Sequence, residues 1–337
     1  MKKDELLNAI DKLKPALADK GLIEYSGLIV LGDGRLTAYG DDISVSVPFV
    51  SPVEAALPWQ EFTKLIRKLE AAEIEMKQEE NQIVITAGKT RAGFNVSELS
   101  APPVKWVIEE SGWQKLPDGF CGALGFCAFS TSADASLGIL QCVYVHGNKV
   151  VSSDNFRITE FQLKSEAPEI LVPRDVAVFL SKYDAKDVCI DSSGAAVHYK
   201  DASGVIFTQR AIADDFPMVE ELFNVEGTEV EMPPEIEGAL DRAGVLADER
   251  DGMNYVRLTV ARGQVFVRGQ CEKGWVEERV PTSYKGKPMS FVASPKHLVQ
   301  ILDRSRKAIV GENTMLFKGE GFRHVVCLIA EEEKIGG

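Results

Sequence analysis

The sequence predicts an α+β chain in which one unit, two helices with antiparallel strands, occurs three times. Three segments look alike, 57–66, 172–180 and 294–302, and each opens a helix on a proline: Pro58, Pro173 and Pro295. The prolines are spaced by 115 residues (58 to 173) and 122 residues (173 to 295). A second helix-like segment begins upstream of each, at Asp4, Asp118 and Pro234, and between the helices the residues alternate with the period of strands.

In chain order, the first unit predicts a helix over 4–17, then a hairpin over 27–39 turning on Asp33-Gly34, a dipeptide suited to a tight hairpin turn. Its proline helix carries an apolar stripe of Phe62, Leu65, Ile66 and Leu69, which must bury against a sheet. A second hairpin follows, 73–77 with 82–87. The second unit repeats the order: a helix over 118–129, a hairpin of 141–145 with 149–152 turning at His146-Gly147-Asn148, a stripe of Val176, Phe179, Leu180 and Tyr183, and a hairpin of 188–191 with 195–200. The third gives a helix over 234–246, a hairpin of 256–260 with 264–268, a stripe of Leu298, Ile301 and Leu302 that Ser305 interrupts, and a hairpin of 314–318 with 324–329. A proline at a helix start fits, because the N–H it lacks would have had no intrahelical acceptor there. The domains are thus expected at 1–110, 111–227 and 228–337, with Pro102-Pro103 and Glu229-Val230-Glu231 as linker features.

Composition narrows the function. With 45% hydrophobic and 26% charged residues the chain is expected to fold as a globular protein rather than remain disordered. No apolar run reaches the length of a membrane span and no secretory leader is read, so the cytoplasm is the expected location. Cys121, Cys127, Cys142, Cys189, Cys271 and Cys327 lack the short spacings of zinc or redox motifs. His146, His198, His297 and His324 are far apart. Gly32-Asp33-Gly34 lacks the third glycine of a dinucleotide fingerprint and is followed by a strand where a helix is required. No catalytic residue, metal site or cofactor is expected.

The net charge of -13 argues at first against nucleic acid. On helical geometry, however, Lys64, Arg67 and Lys68 point away from the apolar stripe of the first proline helix, as do Arg174 and Lys182 on the second and Lys296, Arg304 and Lys307 on the third. Segment 59–68 carries +2 (three bases less Glu61), 173–182 carries +1 (two less Asp175) and 295–307 carries +3 (four, with Arg306, less Asp303). Their total of +6 leaves -19 on the remainder. An exposed helix face is often basic, but recurrence in three units favours a shared surface for phosphates. Aromatic residues do not interleave these bases beyond Trp59, which favours backbone contact with duplex DNA over stacking on single strands.

This organisation resembles the bacterial DNA polymerase III beta subunit, the sliding clamp, along nearly the whole chain. The most specific stretches are Ile170-Leu171-Val172-Pro173-Arg174, the run from Phe207 to Pro217, and the run from Val150 to Ile158, which is similar to the family's Thr-Asp-Gly-His-Arg-Leu motif. The resemblance implies three clamp domains per chain, a homodimeric ring around double-stranded DNA, and a non-catalytic processivity factor that tethers the polymerase. It further implies that the polymerase and clamp-loader proteins insert a short peptide motif into a pocket of Leu140, Ser153, Asn155, Phe156, Arg157, Ile158, Ser294, His297, Cys327, Leu328 and Ile329. Core burial is the competing account of Phe156 and Ile158. The chain departs from the family where Asn155 and Phe156 hold the motif's Gly and His positions, where Cys327-Leu328-Ile329-Ala330 replaces Met-Pro-Met/Leu-Arg, and in the acidic tail Glu331-Glu332-Glu333-Lys334. For the subunit interface it implicates Phe94 and Val96 against Val245 and Leu246, with burial inside one chain as the alternative. A clamp-like regulator that binds replication proteins without encircling DNA is the other functional reading.

Overall fold

A computed structural model describes residues 1–17, 24–96, 112–250 and 252–329. Pro102-Pro103, the boundary near residue 110 and the tail 331–334 lie outside them. The chain divides into two compact units, Met1–Cys121 with Asp175–Ala213, and Gly122–Arg174 with Asp214–Gly337, so the segment 111–227 contributes to both.

In the first unit α1 (Lys3–Leu13) buries Leu6, Ala9, Ile10 and Leu13 along one stripe, and Pro15 tightens its end into a 3-10 turn, Lys14–Ala16. The strands β1 (Leu28–Gly32) and β2 (Arg35–Tyr39) turn on Asp33 and Gly34 with φ of 52° and 69°, the doubly positive pair that matches strand twist. With β3 (Ile43–Pro48), β4 (Ala55–Pro58), β8 (Gln114–Lys115), β11 (Ala185–Ile190), β12 (Ala196–Asp201) and β13 (Ile206–Arg210) they form one eight-stranded sheet in the order β4-β1-β2-β3-β13-β12-β11-β8. The join is β3 to β13, Val45 opposite Phe207. Helix α2 (Trp59–Lys68) starts after Pro58, which is its N-cap, and buries Phe62, Thr63 and Ile66. A three-stranded sheet, β5 (Glu75–Glu79), β6 (Gln82–Ala87) and β7 (Thr90–Asn95), completes the first proline repeat. Helix α4 (Arg174–Leu180) buries Val176, Ala177 and Leu180.

The second unit takes up the chain at Gly122, within α3 (Phe120–Cys127), which runs into a 3-10 turn, Ala128–Ser130. Its six-stranded sheet runs β14 (Thr228–Glu231), β20 (Lys307–Val310), β21 (Thr314–Gly319), β22 (Phe322–Cys327), β10 (Arg157–Pro173), β9 (Cys142–Ser153). Two expectations are corrected here. The hairpin at His146-Gly147-Asn148 does not form: β9 continues through it, Gly147 takes φ 57° beside a register shift against β10, and the turn comes at 154–156. A glycine that can bulge need not turn the chain when a partner strand covers both sides of it. Glu229-Val230-Glu231 is a strand rather than a linker, because Val230 belongs to the core.

The other sheet of this unit is built from β15 (Asp248–Arg250), β16 (Met253–Ala261), β17 (Gln264–Cys271), β18 (Gly274–Pro281) and β19 (Met289–Ala293). Helices α5 (Ile236–Gly244) and α6 (Pro295–Leu302) cover one face, with Leu240, Leu258, Val267, Leu298 and Ile301 in a common core. Gly269 is required by this packing, since a Cβ there would lie 2.0 Å from the Ala243 carbonyl oxygen at the end of α5. Gly269→Ala is therefore expected to cost about 2 to 3 kcal/mol, because the obstacle is helix backbone and not a movable side chain. A shift in denaturant midpoint checks this, and an unchanged midpoint would contradict the packing.

Candidate functional site

The turn between β9 and β10 is fastened by its own side chains. Asp154 Oδ1 accepts from the backbone N–H groups of Phe156 (3.1 Å) and Arg157 (3.0 Å), Ser153 Oγ donates to the Arg157 carbonyl (3.0 Å), and Asn155 takes φ 74°. Asp154 Oδ2 then accepts from Arg157 Nε at 2.8 Å, so the residue that shapes the turn also holds the guanidinium. The other Arg157 nitrogens donate to Gln300 Oε1 on α6 and to the Phe129 carbonyl after α3, and the guanidinium lies 5.2 Å from the Phe129 ring centroid. Arg157 is only 5% exposed, and burial lowers its pKa. It is thus a latch between one turn and two helices rather than a charge offered to solvent.

His297, on α6, lies beside this latch, with Nε2 3.7 Å from Asp154 Oδ2. Burial, with the positive charges of Arg157 and Lys296, pushes its pKa down to about 3, so the ring is neutral at physiological pH. Ser294 caps the helix by accepting from the His297 N–H at 3.5 Å. Deeper, Ser130 and Thr159 hydroxyls are 2.6 Å apart and Thr159 Oγ1 is 2.7 Å from His324 Nδ1. His324 stacks on Phe129 at 5.4 Å, and burial lowers its pKa well below the ordinary value. On the other rim the Cys327 N–H donates to the Phe156 carbonyl (2.8 Å) and the Ile329 N–H to the Val292 carbonyl (2.9 Å).

The structure therefore brings together Ser153, Asn155, Phe156, Arg157, Ser294, His297 and Cys327. Asn155 and Cys327 are exposed, and Phe156 and Ile329 are half-buried on the rim. Leu328 is core, and Leu140 is buried ahead of β9 with its carbonyl accepting from the Ser132 N–H. Ile158 faces the opposite side of the sheet, packed with Val151, Phe223, Leu316 and Val325, because neighbours on a strand point to opposite faces. Sequence reasoning missed Asp154, Gln300 and Phe129. Two of them carried a signal: Asp154 precedes Arg157 by three residues in a turn, and Gln300 follows His297 by three on one helix face.

Among the predicted bases, Lys64, Arg67, Lys68, Arg174, Lys182, Lys296, Arg304 and Lys307 are all exposed. Arg67 pairs with Asp11 at 2.9 Å. The second and third basic helices are both shorter than expected. Helix α4 ends at Leu180, so Lys182 lies in the turn after it. Helix α6 ends at Leu302, so Arg304 lies in the following turn over the rings of Phe126 (5.0 Å) and Phe129 (4.1 Å), and Lys307 begins β20. Arg306 turns toward Glu237 and the Pro233 carbonyl. At the predicted interface, Phe94 is half-buried on the edge strand β7 with its ring edge-on to Phe62 at 5.6 Å, and Val96 is half-buried. Val245 is 81% exposed just past α5, and Leu246 is half-buried.

Element order and sheet pairing together define the fold of the sliding clamps. The solved Bacillus subtilis DNA polymerase sliding clamp is similar, with TM-score 0.81, 20% identity, and 98% of each chain covered. The DNA polymerase beta subunit of Streptococcus pyogenes gives TM-score 0.84 at 18% identity over 98% of this chain and 99% of that one. A Bartonella birtlesii clamp bound to griselimycin gives 0.81 at 17% identity over 98% of both chains. No family model and no curated protein sequence matches the chain.

Two outcomes follow from the latch. Asp154→Ala leaves a buried guanidinium without its carboxylate and is expected to destabilise by about 3 kcal/mol in equilibrium unfolding; a loss below about 1 kcal/mol would contradict the latch. His297 binds no proton in the fold until about pH 3 but does so from 6.5 when unfolded, so its contribution is complete above 6.5 and declines as the pH falls. At pH 5 this single group is expected to cost about 2 kcal/mol, and His297→Gln should flatten the pH dependence by that amount. An unaltered slope would refute it.

Proposed function

We propose that the chain is a divergent bacterial beta-type sliding clamp: a non-catalytic processivity factor that closes as a homodimeric ring around double-stranded DNA and tethers the replicative polymerase. The observation that carries this is the likeness to sliding clamps over 98% of both chains. The reading takes 1–110, 111–227 and 228–337 as three clamp domains. Fold alone does not fix function. The charge distribution supplies the second support, because among the described residues Lys64, Lys68, Arg174, Lys182, Lys296 and Lys307 are exposed bases with no ion-pair partner, and they remain available to phosphates. Contacts of this kind position a duplex without reading its sequence, and their mobility lets it slide.

In this reading Phe94 and Val96 meet Val245 and Leu246 of a second copy, which would cover the exposed Val245 side chain. The rim formed by Asn155, Phe156, Cys327 and Ile329 receives a short apolar peptide from the polymerase or the loader. The Arg157 latch holds that rim rigid. The protein works in the cytoplasm.

The test is charge reversal. Lys64→Glu with Lys68→Glu removes four lysines from a two-chain ring and should lower the dependence of log affinity for duplex on log salt by about 4, near one for each phosphate no longer neutralised, and should shorten residence on primed DNA with polymerase by roughly tenfold or more. Unchanged slope and residence would instead support the regulator that binds replication proteins without encircling DNA, a reading that the altered residues Asn155, Phe156 and Cys327 favour.

A further inference from the structure

The sheet of β15 to β19 has a second face that none of the preceding roles uses. Val265, Val267, Val280, Leu258 and Val260 point into the core under α5 and α6, so the alternate residues of β16, β17 and β18 point outward. Those residues include Arg257, Phe266, Arg268, Trp275, Glu277 and Arg279, with Gln270 beside Arg268. The register fixes their arrangement: Arg257 lies opposite Arg268, Arg268 opposite Glu277, and Phe266 opposite Arg279. Arg268 stands over the Trp275 ring at 5.0 Å and Arg279 over the Phe266 ring at 5.2 Å. Trp275 is 61% exposed, which is unusual for the largest apolar side chain.

Two of the three guanidinium groups on this face share one carboxylate. Glu277 reaches Arg268 at 3.5 Å and Arg279 at 3.9 Å, and Gln270 Oε1 accepts from Arg268 Nε at 3.2 Å and Nη2 at 3.1 Å, so Arg279 is the more open of the two to other acceptors while Arg268 keeps only its second Nη hydrogens. The nearby Glu278 is turned to the helix side, where Arg242 holds it in a two-point pair. A helix or a folded domain with an apolar face would find too little apolar surface here and would have to desolvate the arginines. A polyanion carrying flat rings finds both of its requirements, phosphate acceptors for the arginines and aromatic faces for stacking. Paired bases in a duplex keep their faces stacked on one another, so a tryptophan standing on a sheet reaches only unpaired bases.

We propose that this outward sheet face binds single-stranded nucleic acid, with Trp275 and Phe266 as stacking platforms and Arg268 and Arg279 as phosphate partners. The site is contained in one sheet of the second unit, and it stands whether or not the chain forms a ring. Its occupant differs from the duplex assigned to the basic helices, so the two sites would let one protein hold the double-stranded and unpaired parts of a junction.

The experiment is a titration of the full-length protein with a fluorescently labelled oligothymidylate of about 20 nucleotides, long enough to cover a single-strand site, read by anisotropy at two salt concentrations. Trp275→Ala is expected to weaken binding about 5- to 100-fold, while Trp275→Phe retains most of it. Arg279→Ala should weaken binding and reduce the salt dependence by about 0.7. Because Trp275 and Arg279 are surface residues, circular dichroism of the variants should match the parent. Absence of binding by the parent at low salt overturns the proposal. So does binding that Lys64→Glu with Lys68→Glu abolishes and Trp275→Ala leaves intact. A polyglutamate peptide that binds with the same dependence on Trp275 would make the face a protein-docking surface. A change in native mass in Trp275→Ala with unaltered oligonucleotide affinity would make it a subunit boundary. Either result overturns the assignment to nucleic acid.

Discussion

Backbone pairing between strands far apart in sequence fixes the geometry on which everything else depends. In the first unit β3 pairs with β13, and in the second β10 pairs with β22, Arg157 opposite Val326 and Ile158 opposite Val325. Side chains alternate faces along a strand, so a slip of one residue would exchange Arg157 and Ile158. The guanidinium would then enter the apolar cluster of Val151, Phe223, Leu316 and Val325, with no carboxylate to meet it. The register is specified by that penalty as much as by the apolar residues it buries correctly.

With the register set, the Arg157 network becomes a structural element in its own right. One carboxylate, Asp154, satisfies two backbone N–H groups and the guanidinium, and the same guanidinium reaches α6 and the end of α3. The neutral His297 and His324 fill the space beside it because protonating either would place a second buried positive charge near Arg157. Charges that face solvent are organised differently. The bases on and just beyond α2, α4 and α6 project outward while the stripes between them are buried, and a net charge of -13 conceals this separation.

Much of this was legible in the sequence where a local rule had no competitor. Asp33-Gly34 turned the first hairpin because both residues accept positive φ, and the stripes of Phe62 and Ile66 or Leu298 and Ile301 were buried as their period required. Failures arose where tertiary pairing outweighed a local cue. Gly147 looked like a turn residue, but β10 covers β9 on both sides of it. Val230 looked like part of an acidic linker, but its pairing in β14 makes it core. The basic run after Leu302 continued a helical pattern in charge and not in apolar spacing, and Ser305 was the visible sign that the helix had ended. Of the candidate site, the Ser294 cap and the local spacings of Asp154 and Gln300 could be read from residue types. The partner Phe129 could not, since it reaches Arg157 only through the folded register.

A ring that encircles duplex holds DNA by topology, and the most direct measurement of that property is retention on a closed circular plasmid after loading, followed by a single cut. The clamp account predicts stable association with the circle and rapid loss once the ends are free. Equal retention on both forms, or equal loss from both, would contradict it.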